Sequence, residues 1–485
     1  MHSGSIKTVL LVHGYSVRTL NSWGRLPQLL QASGLAPTSI FLSDFVTLDD
    51  RVSCDDLAIA LDVKVNKLGL DWGSTAVIAH STGAILTRRW LLNRRSGAEP
   101  LPSHFISCAG ANHGSTLAQL GITELSHIFR QLTEGSSVGQ RVLQDLDYGS
   151  LFLRMLNRDW LTAWNNANAP LWRDVYCFSM GGTDHSYWQN QLAWQSHEAG
   201  SDGTVRISSA NLNYRFIDLT PPYQNFTITE TAQLCPHLVV ETPAKKYSHT
   251  SQSEPDTAGL VLSAAADAVN VIQHGLGGPP VQVSAVEYGI LEGIQSADER
   301  PYAALEQAFA VQTDAAYINL AMEWAHETAI WSAANPREAN ATVIIAISDQ
   351  RRQLVDDSLV LLGDQNGTIS GVSSSILPHQ PIRNGISPSV ISLYINAAQF
   401  LQVHPHRIHL EARTDTPFIT YDLMIDAPIS GTQGDIESHV LAANEFTYIE
   451  VQVIRDPSNA FSFVAQSDPR LPGILNQDFP PLFLD

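Results

Sequence analysis

Ser81 stands in the run Ala79-His80-Ser81-Thr82-Gly83, between a continuous apolar segment (residues 75–79) and a segment with helical spacing (84–93). A buried strand that turns sharply into a helix lifts the residue at the turn clear of the sheet, and a serine there presents its hydroxyl as a nucleophile. Backbone segments crowd such a turn, so small side chains are needed two residues before and two after the serine. Here they are Ala79 and Gly83, alanine replacing the commoner first glycine. So short a pattern is weak alone, but its place between a buried strand and a helix disfavours a plain turn. The chemistry in view is attack on an acyl carbon, whose carbonyl oxygen becomes an oxyanion and requires preorganised N–H donors. The backbone N–H of Thr82, at the helix start, is one expected donor. The other is expected from the loop that closes Val9-Leu10-Leu11-Val12-His13-Gly14-Tyr15, with Tyr15 donating and Gly14 permitting close approach. His13 is expected to orient that loop rather than to react.

An acid and a base are needed to activate the hydroxyl, and the order serine, acid, histidine along the chain is one of the arrangements such sites use. Gly200-Ser201-Asp202-Gly203-Thr204-Val205 is a polar, glycine-flanked loop beyond the strand-like run 175–180, and Asp202 is the expected acid. Asp184, in Gly181-Gly182-Thr183-Asp184, lies closer to the strand end and is the rival. His249, in Tyr247-Ser248-His249-Thr250-Ser251, sits in a polar loop before a helical segment and is the expected base. His237 follows Pro236 and leads into the apolar run 238–240, which suits a packed or exposed role. In this scheme His249 takes the Ser81 proton and returns it to the leaving alcohol, while Asp202 orients the imidazole and stabilises the imidazolium.

The elements that must position these groups are legible as a pattern. Apolar runs at 7–12, 40–42, 75–79 and 104–109 alternate with helical spacing at 23–32, 55–68 and 84–93, the signature of a parallel sheet with helices on both faces. The alternation breaks over 115–172, where helical segments carry Phe129, Phe152, Met155, Trp160, Trp164 and Trp172. That insertion reads equally as a lid over the site or as a structural helical layer. Strand patterning resumes at 175–180 and 213–219, and 257–273 reads as the last helix. Gly275-Leu276-Gly277-Gly278-Pro279-Pro280 then marks a boundary. Beyond it, short strand-like runs separated by turn signals point to an antiparallel sandwich; the pattern over about 285–340 is ambiguous, with 320–332 compatible with a helix. The expected organisation is therefore a catalytic domain over 1–275, with a cap at 115–172, and a β-rich accessory domain over 281–485.

Hydrophobic residues make up 44% of the 485-residue chain and charged residues 16%, a packed rather than disordered composition. The net charge of −20 opposes binding to a phosphate backbone, so no nucleic-acid partner is expected. Four scattered cysteines, Cys54, Cys108, Cys177 and Cys235, form no C-x-x-C pair; Cys108 and Cys177 read as buried thiols, and a disulfide between any two stays open. His404, His406 and His409 have no evident carboxylate or thiolate partner, so no metal and no cofactor are expected. There is neither a phosphate-cradling glycine loop nor a dinucleotide fingerprint. No secretory leader and no eighteen-residue apolar span are evident. A cytoplasmic location or export by a signal-independent route is expected, with at most transient contact with a lipid surface.

The His-Gly loop, the elbow at 79–83, Asn112-His113-Gly114-Ser115, Tyr148-Gly149-Ser150-Leu151-Phe152-Leu153, Gly181-Gly182-Thr183 and Ser201-Asp202-Gly203-Thr204-Val205 together resemble the bacterial lipase and esterase branch of the α/β-hydrolases. The resemblance covers about the first 275 residues. It implies the α/β-hydrolase fold, an ester or lipid substrate, Tyr15 as oxyanion donor, and a structural role for the turn at 112–115. Hydrolysis of lipid-like acyl esters is the expected activity. A phospholipase effector or toxin acting on membrane lipids, or an acyltransferase using the same triad, are the alternatives.

Overall fold

The computed structural model describes residues 5–14, 23, 26–41, 49–115, 139–183, 198–202, 205–221, 226–240, 300–355, 358–364, 382–402, 406–412, 420–422, 424–428 and 442–457. Six strands, β1 (Thr8–Val12), β2 (Ala36–Ile40), β3 (Thr75–His80), β4 (His104–Cys108), β5 (Tyr176–Gly182) and β8 (His237–Val240), build an all-parallel sheet in the order β2-β1-β3-β4-β5-β8. A parallel sheet covered on both faces needs strands that are apolar on both faces, hence continuous runs rather than alternation. Every residue of β3, β4 and β5 is buried.

Helices α1 (Leu26–Ala32), α2 (Cys54–Asn66) and α3 (Thr82–Ser96) follow the first strands. A capping box starts α2: the Ser53 hydroxyl accepts the Asp56 N–H at 3.2 Å, and the Asp56 carboxylate accepts the Ser53 N–H at 3.0 Å. Arg94 near the end of α3 ties the two helices together, donating to Asp62 at 2.7 Å and Asn66 at 2.9 Å.

The helical insertion contributes α4 (Gln140–Leu146), α5 (Leu151–Trp164) and α6 (Leu171–Asp174). Ser150 caps α5 by accepting the Leu153 N–H. Trp160 and Trp164 are fully buried, and Trp160 meets Phe105 of β4 edge-on. These aromatics are core residues of the described helices. Residues 116–138 lie outside the described residues.

A second sheet is built from β6 (Tyr214–Leu219), β7 (Phe226–Glu230), β9 (Asn340–Asp349), β11 (Ile382–Arg383), β12 (Val390–Asn396) and β16 (Phe446–Asp456). Its order is β11-β12-β9-β16-β6-β7, and β14 (Thr420–Asp422) also pairs with β16. β16 runs parallel to both β6 and β9, whereas the other pairs are antiparallel, so this sheet is mixed rather than purely antiparallel. Alternation in a sequence identifies a strand but not the direction of its partner. Strands β10 (Ser358–Asp364), β13 (His406–Ala412) and β15 (Met424–Pro428) form a separate antiparallel sheet.

The short helix α7 (Ile207–Ala210) precedes β6, and α8 (Arg300–Ala310), α9 (Asp314–Ala334) and α10 (Ala397–Gln402) lie beyond residue 300. α8 and α9 pack on the parallel sheet: His104 Nε2 is 2.8 Å from the Val311 carbonyl that follows α8, and the Tyr317 hydroxyl of α9 donates to the Cys177 carbonyl at 2.7 Å. Chain from before residue 275 joins the second sheet, and chain from beyond 281 covers the first. The boundary expected at 275–280 and the helix expected over 257–273 lie outside the described residues. All four cysteines are free thiols and buried. Among the described residues no helix is long and apolar enough to cross a membrane.

Candidate active site

Ser81 connects β3 to α3 with φ 54° and ψ −126°, torsions that a residue with a side chain adopts only when its surroundings impose them. The surroundings here are hydrogen bonds from both sides. The Ser81 N–H donates to the Cys108 carbonyl at 3.3 Å, and the Ser81 carbonyl accepts from Ala84 at 3.1 Å and Ala111 at 3.2 Å. Gly83 allows α3 to start hard against the end of β1: a Cβ there would lie 2.6 Å from the His13 carbonyl oxygen and 2.8 Å from that of Val12. Thr82 is buried and opens α3, where first-turn N–H groups have no acceptor within the helix and the helix dipole favours negative charge.

His13 is buried, stacked on Phe41 with ring centroids 4.3 Å apart, and its Nε2 accepts the Trp23 indole N–H at 2.7 Å. Burial pushes its pKa down to about 3, so it stays neutral and holds the loop after β1 rather than exchanging protons. His237 is also buried, with Nδ1 2.9 Å from the Ser179 hydroxyl, and burial brings its pKa to about 3. That is a packed role, not a base. Tyr15, Asp184 and His249 lie outside the described residues.

Asp202 is fully buried. Its Oδ1 accepts the Val205 N–H at 2.7 Å, and its own N–H donates to the Val205 carbonyl at 3.2 Å. The loop leads into α7, where Ile207 and Ala210 sit against Gly181 near the end of β5. Asn112, in the turn after β4, donates to the Ala210 carbonyl at 2.9 Å, while its neighbour Ala111 donates to the Ser81 carbonyl. The turn at 110–115 thus links the serine turn to the foot of the loop that carries Asp202, at the ends of adjoining parallel strands. His113 in the same turn stacks on Phe446, and its ring nitrogens lie 3.0 Å from the Tyr448 hydroxyl and 2.9 Å from the Asn211 carbonyl.

Sequence reasoning missed the groups that hold the loop carrying Asp202. Glu198 and Arg206 form a fully buried ion pair, with Arg206 Nε 3.0 Å from both carboxylate oxygens and Nη2 2.7 Å from one. The guanidinium lies between the rings of Tyr148, at 4.5 Å, and Tyr394, at 4.1 Å. Burial penalises its charge, but Glu198 and the two tyrosines outweigh that penalty and hold its pKa above the usual arginine value. Two charged residues eight positions apart, flanking a loop of small residues, were the available signal. Among the described residues no group of three metal-ligating side chains converges.

No family model matches the sequence, and no curated protein matches it. Two solved structures of the phospholipase PlaB from Legionella pneumophila, one in complex with thio-NAD, resemble the fold with a TM-score of 0.71. They are 20% and 21% identical to this chain, and each match covers 96% of this chain and 97% of the other. The mature form of the Bacillus licheniformis lipase BlEst2 matches 43% of this chain and 80% of its own at 16% identity. Its TM-score of 0.29 is too low to carry an argument.

Proposed function

We propose that this chain, which has the α/β-hydrolase fold, is a serine ester hydrolase that cleaves carboxylic esters through an acyl-enzyme on Ser81. The observation that carries the reading is the conformation of Ser81: a serine held at φ 54° between a buried strand and the start of a fifteen-residue helix. Such strain persists only where the surroundings impose it, and it clusters at reactive positions. In the proposed reaction His249 removes the Ser81 proton as the hydroxyl attacks the acyl carbon. The N–H groups of Thr82 and Tyr15 receive the oxyanion, and Asp202 stabilises the imidazolium. The imidazolium then protonates the leaving alcohol, and water repeats the sequence on the acyl-enzyme.

Lipid-like acyl esters are the proposed substrates, and phospholipids are the favoured class among them. The support is the likeness along nearly the whole chain to a protein described as a phospholipase. Hydrolysis of p-nitrophenyl esters of graded acyl length, with phospholipid vesicles in parallel and Ser81→Ala as control, tests both levels. Turnover of long-chain esters and release of fatty acid from phospholipid, both abolished in the variant, is the expected result. Turnover of short esters alone would reduce the reading to an esterase. Acyl transfer to added glycerol or methanol in preference to water would replace hydrolysis by acyl transfer.

A further inference from the structure

We infer that Tyr394 and Glu338, acting with Arg206, are positioning residues for Asp202, so that chain beyond residue 330 completes the acid side of the site. The inference rests on the serine-hydrolase reading above. Within the acid loop, the bonds between Asp202 and Val205 and the bridge between Ser201 and Arg206 fix the local turn. They do not anchor the turn to its surroundings; beside the link through Asn112 to Ala210, it is held by residues beyond 330. The Glu338 carboxylate accepts the Gly200 N–H at 2.6 Å, and the Tyr394 hydroxyl donates to the Ala199 carbonyl at 2.6 Å, with the Gly200 carbonyl 3.2 Å away. Asn340 donates to the same Ala199 carbonyl at 2.9 Å.

The fit leaves no slack. Gly200 has φ +75°, and a Cβ there would lie 2.2 Å from the Glu338 carbonyl oxygen and 2.7 Å from the Tyr394 hydroxyl. Tyr394 also lays its ring on the Arg206 guanidinium, whose pair with Glu198 closes the two ends of the loop. Among the described residues, the charged groups facing the loop are Glu198, Arg206 and Glu338, with the first two neutralising each other. A catalytic carboxylate must keep its direction toward the imidazole through the reaction, and an outer clamp on its backbone is the means by which such a group is held.

The experiment compares the full-length chain with Tyr394→Phe, Glu338→Ala and Glu338→Gln on a p-nitrophenyl ester, each counted by the fraction of Ser81 that a fluorophosphonate labels at completion. A loop displaced by a fraction of an ångström should lower kcat per labelled site by about 10- to 100-fold in Tyr394→Phe and Glu338→Ala. KM should stay within about twofold. The acid limb of kcat/KM should move to lower pH, because an imidazolium less well supported by Asp202 loses its proton more readily. Glu338→Gln keeps an acceptor for the Gly200 N–H and should recover most of the activity. Lower yield of folded protein with unchanged kcat per labelled site and an unmoved pH profile would overturn the inference, as would a Gln variant as defective as Ala. A wild-type chain that neither labels nor hydrolyses would overturn the serine-hydrolase reading and this inference with it; an active wild type with unaffected variants would overturn this inference alone.

Discussion

Replacing Gly83 by alanine is the smallest change that tests whether the serine turn is built by close packing. The glycine is in a helix, so the substitution by itself favours helix formation, by about 1 kcal/mol. Against that, the added methyl meets two backbone oxygens, His13 at 2.6 Å and Val12 at 2.8 Å, neither of which can swing aside as a side chain would. Carbon–oxygen contacts relax at roughly 3.3 Å, so the start of α3 must withdraw from β1 by on the order of 0.6 Å. Overpacking of this kind costs about 1–3 kcal/mol, which exceeds the helical gain and leaves a net loss of up to about 2 kcal/mol. The same withdrawal carries Ser81 and the Thr82 N–H away from the acyl carbon. Since a misplacement of about 1 Å costs on the order of 100-fold, roughly 10-fold or more should be lost from kcat. Urea unfolding followed by tryptophan fluorescence gives the first quantity, and ester hydrolysis with active-site titration gives the second. A Gly83→Ala protein as stable and as active as wild type would refute the packing argument.

Burial raises the pKa of Asp147 to about 7, and its Oδ2 accepts the Gly385 N–H at 3.2 Å. The unfolded carboxyl releases its proton near ~4. The stability that the bound proton contributes is therefore present below that pH and is lost as pH rises to about 7. Asp147→Asn keeps the acceptor and carries no charge, so it should gain on wild type by on the order of a few kcal/mol between pH 4 and 8; a pH-independent difference in Tm would contradict this. His237 has the opposite sign: its folded pKa is about 3, and an unfolded histidine protonates near ~6.5. Stability should fall by about 1.4 kcal/mol per pH unit for this group as pH drops below ~6.5. His237→Gln should flatten the dependence of the urea midpoint on pH between about 4 and 6.5 by one proton, and an unchanged slope would show that the ring is already protonated when folded.

What the sequence disclosed and what it hid divide along a physical line. Thr75–His80 reads as a buried strand because only Thr75, at its start, is polar before His80, and the small residues around Ser81 report crowding that is local in the chain. The sheet and the serine turn were therefore legible. The pattern over about 285–340 is ambiguous in sequence, α9 runs over Asp314–Ala334, and nothing local says that its Tyr317 reaches the Cys177 carbonyl of the parallel sheet. Phe446–Asp456 likewise announces a strand, but its parallel pairing with β6 and β9 joins residues more than a hundred positions apart. Trp324, Trp331 and Tyr394 are likewise buried, at places that only the assembled sheets define. The contacts around the Asp202 loop were invisible for the same reason: Glu198, Arg206, Glu338 and Tyr394 meet it only once two sheets are assembled around them.

The account stands on Ser81 being the nucleophile, and covalent capture tests that most directly. The full-length protein is treated with a fluorophosphonate, digested, and its peptides are weighed by mass spectrometry, beside protein in which Ser81 is alanine. The account predicts one phosphonylated serine per chain, on the peptide carrying Ala79-His80-Ser81-Thr82-Gly83, with labelling absent from the variant and ester hydrolysis lost in parallel with it. Modification of a different residue in an active enzyme, or hydrolysis that survives Ser81→Ala undiminished, would contradict it.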